Sequence, residues 1–387
     1  PYIESFATTG KAGLLEDEPR FDYSGGASCP SLLLEPSRTN LIEYSEYWND
    51  WQEVRTTLSF NEATSPEGIQ NASLLVDSVD LNTHISQAIY NTSSGTTPVT
   101  WSLFAKKQNN RYISLRLQDD AANASGNTNY IVANYDLESG VVTDTLESGS
   151  PTNAIADIED YGNGWYRLII SMTKKSGVTR TDTQIRLCKD GTAKAGEAFA
   201  GTGNDGNYIY GLQLEEGSYP SSYIPTMGTA VTRNGDTNVK KESISDLIGQ
   251  TEGTLFFEGS CDNSTGTTEF INLNRSTLGS VFILAVLGKV RFYAWYGNGI
   301  IVDSITTIDA TSTFKAAFAY KDGDSALYCN GQQISLKTEA FAPSVALSSI
   351  WIAQGDYAGS KNKVNTKQAL VFKTRLTNEE LATLTTI

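Results

Sequence analysis

The chain has 387 residues, 39% of them hydrophobic and 19% charged, with a formal net charge of −15 at pH 7. That length suits two or three domains, and so acidic a protein repels a polyanion, so no nucleic-acid partner is expected. No apolar run reaches the length of a membrane span, so no membrane insertion is expected.

The first residue is Pro1 and nothing there resembles a signal peptide, so the start is expected to be a cut in a longer protein. Cys29, Cys188, Cys261 and Cys329 lie far apart without a CxxC pair. Free buried thiols are therefore expected rather than structural zinc, with a disulfide as the alternative.

Residues 1–46 hold few periodic apolar stretches; one patch, Leu32 to Leu34, is flanked by turn residues. They read as an extended N-terminal arm that packs on something else. From 47 to 226 short strands follow one another. "PVTWSLFAKK" sets Trp101, Leu103 and Ala105 on one face and Ser102, Phe104 and Lys106 on the other. "RYISLRLQ" turns Ile113, Leu115 and Leu117 inward, and Tyr112, Ser114, Arg116 and Gln118 outward. "GWYRLIISMT" sets Tyr166, Leu168, Ile170 and Met172 against Trp165, Arg167 and Ser171. Short alternating strands separated by Gly- and Asn-rich turns predict a β-sandwich.

The segment "GSYPSSYIPT" places Tyr219, Pro220, Tyr223 and Pro225 where that sandwich ends. Proline lacks the donor a central strand needs. The segment therefore reads as a ribbon that crosses an edge and packs its aromatics on the arm. Residues 227–250 read as a linker with one short amphipathic turn, Ile244 to Ile248. A second strand set fills 251–387, including "SVFILAVLG", apolar on both faces, and "FYAWYGNG". Thr377 and Glu380 form a capping-box pattern for a short helix from Asn378 to Thr383. The fold class is thus all-β, two β-sandwich (jelly-roll) domains in tandem behind the arm.

Two stretches carry a resemblance. "FKAAFAYKDGDSALYCNGQQI" and "QALVFKTRLTNEELATL" resemble laminin-G/concanavalin-A-like domains, with Tyr328, Asn330 and Gly331 in the hairpin and Leu376, Glu379, Glu380 and Leu381 in the closing element. "TNLIEYSEYWNDW", "GNGWYRLIIS" and "YIYGLQLEEGSYPSSYIPT" resemble galactose-binding-like carbohydrate-binding modules. The combination is similar to bacteriophage tail-fibre, tail-spike and head-fibre proteins. The resemblance implies a virion-surface, extracellular appendage that attaches to a host cell-surface glycan, often as a trimer. It also implies that a Ca²⁺ ion is often carried. Rival readings are a carbohydrate-binding portion of a secreted polysaccharide-degrading enzyme and a purely structural virion component.

Catalysis is not expected. His84 is the only histidine, no GxSxG elbow accompanies it, and it reads as a polar strand-edge residue. Asp157, Glu159 and Asp160 read as a solvated acidic turn, not as a paired-carboxylate centre. For sugar binding, rings stack on exposed aromatics while amides, carboxylates and arginines hold hydroxyls. The candidates are Trp48 and Trp51 together; Tyr112, Arg116, Trp165 and Arg167 on a shared solvent-side sheet face; and Tyr293 with Trp295 near a turn. Packing of these aromatics in the core or at an interface is the alternative. For a metal, Glu46 is the candidate ligand, and "KDGDS" is calcium-like but equally a hairpin turn. The Asn71 and Asn123 glycosylation patterns read as chance in an Asn- and Thr-rich chain. The patch Leu32 to Leu34 and the outer face of "SVFILAVLG" (Phe282, Leu284 and Val286, or their alternates) need cover from a neighbouring sheet or a second subunit, and a homotrimer is expected.

Overall fold

The computed structural model describes residues 9–10, 21–22, 31–48, 51–94, 96–119, 129–193, 198–236, 239–262, 266–276, 279–296, 299–341, 345–352 and 363–387. Cys29 and Asn123 lie outside them. Among the described residues the fold is all-β apart from one short helix. The chain divides into two compact units, residues 1–16 with 38–234, and residues 17–37 with 235–387.

The first unit is a sandwich of two six-stranded antiparallel sheets. One runs Thr152–Asp160, Trp165–Thr173, Pro98–Lys107, Gly206–Glu216, Gln70–Asp77, Thr56–Thr64; the other runs Val141–Ser148, Tyr130–Asp136, Tyr112–Asp119, Arg180–Cys188, His84–Asn91, Gln52–Val54. The alternation read from sequence sets the core. Trp101, Leu103, Leu168, Ile170 and Met172 from one sheet meet Ile113, Leu115, Leu117, Tyr135 and Ile185 from the other. Tyr135 also ties the layers together, because its hydroxyl donates to the Ile169 carbonyl at 2.6 Å.

The aromatic and proline ribbon lies on the outer face of the first of these sheets. The Tyr223 hydroxyl is 2.7 Å from Ser45 Oγ, and Thr226 Oγ1 donates to the Ile42 carbonyl at 2.6 Å. Arg38 stacks 5.1 Å from the Tyr219 ring. The ribbon thus clamps residues 38–46, part of the predicted arm, to the sandwich. Asn40 anchors the clamp, being fully buried with all four amide hydrogen bonds made, to Leu212 O, Ile224 O, Ile42 N and Leu214 N.

The second unit packs a seven-stranded sheet on a six-stranded one around Phe257, Phe270, Phe292, Phe314 and Phe318. The arm's apolar patch is a strand of this unit. Ser31–Leu34 pairs with Val364–Phe372, with Leu33 opposite Asn365, and Leu34 packs on the core. The expected linker serves both units: Val231–Arg233 is a strand of the first, whereas Ile244 and Ile248 are buried in the core of the second. In "SVFILAVLG" Val281, Ile283 and Ala285 face the core, and Phe282 and Leu284 are also buried, at 7% and 6% exposure. Their cover comes from within the chain, where Phe282 sits between Asn272 and Tyr293 in the sheet register. The "YCNGQ" hairpin turns on Asn330 (φ 49°) and Gly331 (φ 75°), the paired left-handed backbone of a type I′ turn. The closing helix, Asn378–Leu384, carries the expected capping box.

Candidate functional site

The outer face of the second sheet of the first unit is polar where a sandwich exterior meets water, yet its side chains are largely buried. Strand alternation puts Ser114 and Arg116 outward between Asn134 on one neighbour and Gln184 and Arg186 on the other. The register aligns Ile85, Arg186, Ser114 and Asn134 in one cross-strand row, and Gln87, Gln184, Arg116 and Val132 in the next. Exposure is only 4% at Ser114, 1% at Asn134 and 8% at Arg186.

Neighbours hold these groups in place. Gln184 Oε1 accepts from Arg186 Nε at 3.0 Å and Nη2 at 2.7 Å, and Gln184 Nε2 donates to Asp182 at 2.8 Å. The Arg116 guanidinium lies 4.0 Å from the Tyr130 ring centre. Burial, followed by the charge of Arg116, pushes Arg186 down to about 10, and burial also lowers Arg116.

Beside this row is a small depression of about 10 Å³, room for about one water molecule, lined by Thr83, Ile85, Ser114, Asn134, Arg186 and Thr192 among others. The Asn134 amide is oriented unambiguously. Its Nδ2 donates to the carbonyls of Asp190 at 3.1 Å and Thr192 at 2.9 Å, so the oxygen cannot occupy that side. Asn134 Oδ1 and Ser114 Oγ are buried and have no hydrogen-bond partner. A buried acceptor without a donor costs about 1–3 kcal/mol, and a hydroxyl-bearing ligand would remove that cost.

The candidates chosen from sequence separate across the molecule. Arg116 lies at the centre of this face. Tyr112 is half-buried on the same strand, with Arg111 5.2 Å from its ring. Trp165 and Arg167 belong to the other sheet and are buried, so the expected platform shared with Arg116 and Tyr112 does not form. Trp165 Nε1 donates to the Thr64 carbonyl at 3.0 Å, and Arg167 donates to Ser102 Oγ at 3.0 Å and the Ser221 carbonyl at 2.7 Å, beneath the ribbon. Trp48 is 4% exposed and stacks through Trp51 to Trp101, with ring centres 5.2 and 6.1 Å apart. That trio is core packing, because an aromatic pair beside a sandwich edge is recruited by the nearest apolar surface.

In the second unit, Tyr293 and Trp295 share the outer face of their strand and are both half-buried. Arg291 stacks on Tyr293 at 4.8 Å and pairs with Asp303 at 2.8 and 2.7 Å.

His84 is buried, not a strand-edge residue. Its ring nitrogens face the carbonyls of Arg55 at 2.7 Å and Phe199 at 3.3 Å. Glu46 accepts from the hydroxyls of Tyr210 at 3.1 Å and Tyr223 at 3.2 Å, and from Asn71 Nδ2 at 3.3 Å. Nearby, burial and then the charge of Glu46 raise the Glu67 carboxyl above its usual range, although the Tyr210 hydrogen bond opposes this. Among the described residues no group of three or more His, Cys, Asp and Glu is placed to hold a metal. In "KDGDS", Asp322 accepts from Phe341 N at 3.0 Å and Asp324 pairs with Arg375 at 3.0 Å, as the hairpin reading requires. Cys188, Cys261 and Cys329 are buried, and burial pushes the Cys329 thiol up to about 12.

Sequence reasoning passed over Asn134, Gln184 and Arg186. The signal was present in "TDTQIRLC", where Asp182, Gln184 and Arg186 alternate with Thr183, Ile185 and Leu187.

No family model matches the chain, and no curated protein matches it. Among solved structures, the chain is similar to the Ruminococcus gnavus IT-sialidase CBM40 bound to α2,3-sialyllactose, at 11% identity and TM-score 0.32, over 39% of this chain and 97% of that one. It is also similar to the binding domain of botulinum neurotoxin DC in complex with SialylT, at 12% identity and TM-score 0.32, over 39% of each chain. A third similar structure, of botulinum neurotoxin type C, has a title describing cell entry through two ganglioside molecules; identity is 12% and TM-score 0.31, over 36% of each chain. These likenesses are weak and partial, and the structures named are carbohydrate-binding and receptor-binding domains.

Proposed function

We propose that this protein is a non-catalytic adhesion module of a phage tail or head fibre, exposed on the virion surface, that binds host cell-surface carbohydrate. The observation that carries the reading is the cross-strand row Arg186–Ser114–Asn134 beside a small depression, with two buried polar atoms, Ser114 Oγ and Asn134 Oδ1, lacking hydrogen-bond partners. Sugar hydroxyls supply such donors at the spacing of adjacent strands, about 4.8 Å. Tyr293 and Trp295 offer a second, stacking contact. The assignment to a phage fibre rests on the sequence resemblance. No residue is given a catalytic role, since His84 faces backbone carbonyls and Glu215, fully buried, is engaged by Ser221 N at 2.9 Å and Gln213 Nε2 at 2.7 Å.

The test is binding of the isolated protein to bacterial cells and to their purified surface polysaccharides, with reducing-end release measured in parallel. Saturable binding without product release is expected. Absence of binding to every cell and polysaccharide tried overturns the adhesion reading. Product release abolished by one Asp or Glu substitution overturns the non-catalytic part.

A further inference from the structure

We infer that the depression beside Arg186 holds one ordered water, bound to Asn134 Oδ1 and Ser114 Oγ, and that a glycan hydroxyl contacts the row through this water. The water itself stands on the geometry alone. The contact it carries rests on the proposed glycan-binding function and deepens it.

Size and burial are the first argument. The depression has about 10 Å³ of room, enough for one water. A sugar ring is far larger and stays outside. Asn134 is 1% exposed and Ser114 4%, so the ring does not lie directly on them either. The two residues are register partners on neighbouring strands, with both side chains outward. Such partners stand about 4.5–5.5 Å apart at their Cα atoms, yet neither Asn134 Oδ1 nor Ser114 Oγ has a hydrogen-bond partner. One small molecule that bonds on two sides bridges them.

Hydrogen-bond chemistry supplies the second argument. Asn134 Nδ2 is taken by the carbonyls of Asp190 and Thr192, so Oδ1 needs a donor. Ser114 Oγ can donate or accept. A water that donates to Oδ1 and accepts from Oγ satisfies both atoms. It keeps one hydrogen and one lone pair for a partner outside. Fixing one water costs no more than leaving one such oxygen unpaired, and this water pairs two. A hydroxyl on a ring held outside has to reproduce both bonds before displacing the water is favourable. The glycan therefore bonds to the water and leaves it in place.

The experiment joins atomic-resolution crystal structures of the full chain to binding on immobilised neutral, carboxylated and sulfated oligosaccharides, for the parent, S114V and S114A. Each variant is first checked for an unchanged thermal midpoint, and S114A replaces S114V if the larger side chain destabilises the fold. The parent should show density for a single water within hydrogen-bond distance of Asn134 Oδ1 and Ser114 Oγ. That density should be lost in S114V and weakened in S114A. In a complex with an oligosaccharide that binds, the water should remain, bonded to a sugar hydroxyl, and affinity should fall about fivefold in S114V and less in S114A. A depression without water density in the parent overturns the whole inference. A sugar hydroxyl in the water's place, or affinity unchanged in both variants, overturns the bridging contact and leaves glycan binding standing. Binding to no probe overturns the proposed function and the bridging contact with it, while the water is judged on the parent's density alone.

Discussion

Replacing Asn40 by alanine tests how the ribbon is held. The side chain is fully buried and makes four hydrogen bonds, donating at 3.0 Å to Leu212 O and 2.9 Å to Ile224 O, and accepting at 3.1 Å from both Ile42 N and Leu214 N. At about 1 kcal/mol net for each bond, the loss comes to about 4 kcal/mol. That is a large part of the about 5–15 kcal/mol that holds a domain folded. The assay is urea unfolding followed by tryptophan fluorescence, since Trp48, Trp51, Trp101 and Trp165 all belong to the first unit. With an m-value of about 2–3 kcal/mol/M, the midpoint of that unit's transition should fall by about 1.5 M, and the slope should not change. The second unit's transition should stay where it is. A midpoint shift below about 0.3 M in the first transition would refute the reasoning, because it would mean that the ribbon and residues 38–46 are held by packing alone.

Three further outcomes are expected. Arg111, bound to Asp136 at 3.0 and 2.6 Å, is the main cause holding the Asp136 carboxyl well below its ordinary 3.8, with Ser139 and Glu138 N adding to it. A depressed carboxyl stabilises the fold above its unfolded pKa and loses that contribution as pH falls toward the folded value; the stability gap between the parent and D136N should therefore be widest near neutrality and close as pH drops below about 4, and a gap constant with pH would contradict this. T377A removes the cap of helix Asn378–Leu384 and should cost about 1 kcal/mol, lowering the second unit's melting midpoint by about 2–4 °C in calorimetry; an unchanged midpoint would show that the cap contributes nothing. Light scattering at micromolar concentration should give the mass of three chains, since a fibre gains avidity by presenting copies of a weak site; the mass of one chain would rule out self-assembly of this polypeptide.

The sequence by itself determined which way side chains point. A strand has a period of two, so "PVTWSLFAKK" and "RYISLRLQ" already separate core residues from outward ones, and Trp101, Leu103, Ile113, Leu115 and Leu117 are all fully buried. Local rules also determined the capping box at Thr377 and the Asn330–Gly331 turn, because both depend on residues within a few positions of each other. Period two does not say which sheet a strand joins or what lies over its outward face. That is why Arg167 and Arg116, alike in pattern, end on different sheets, one beneath the ribbon and one on the outer face of the other sheet over the Tyr130 ring. Strand partners far apart in the chain are equally invisible locally. Leu33 pairs with Asn365, and Asn40 binds residues more than 170 positions away. Such contacts form only when the whole chain has closed its loops, and no short window of sequence carries that information. The row Arg186–Ser114–Asn134 is a product of this kind, since three ordinary polar residues are brought into line only through the register of three strands.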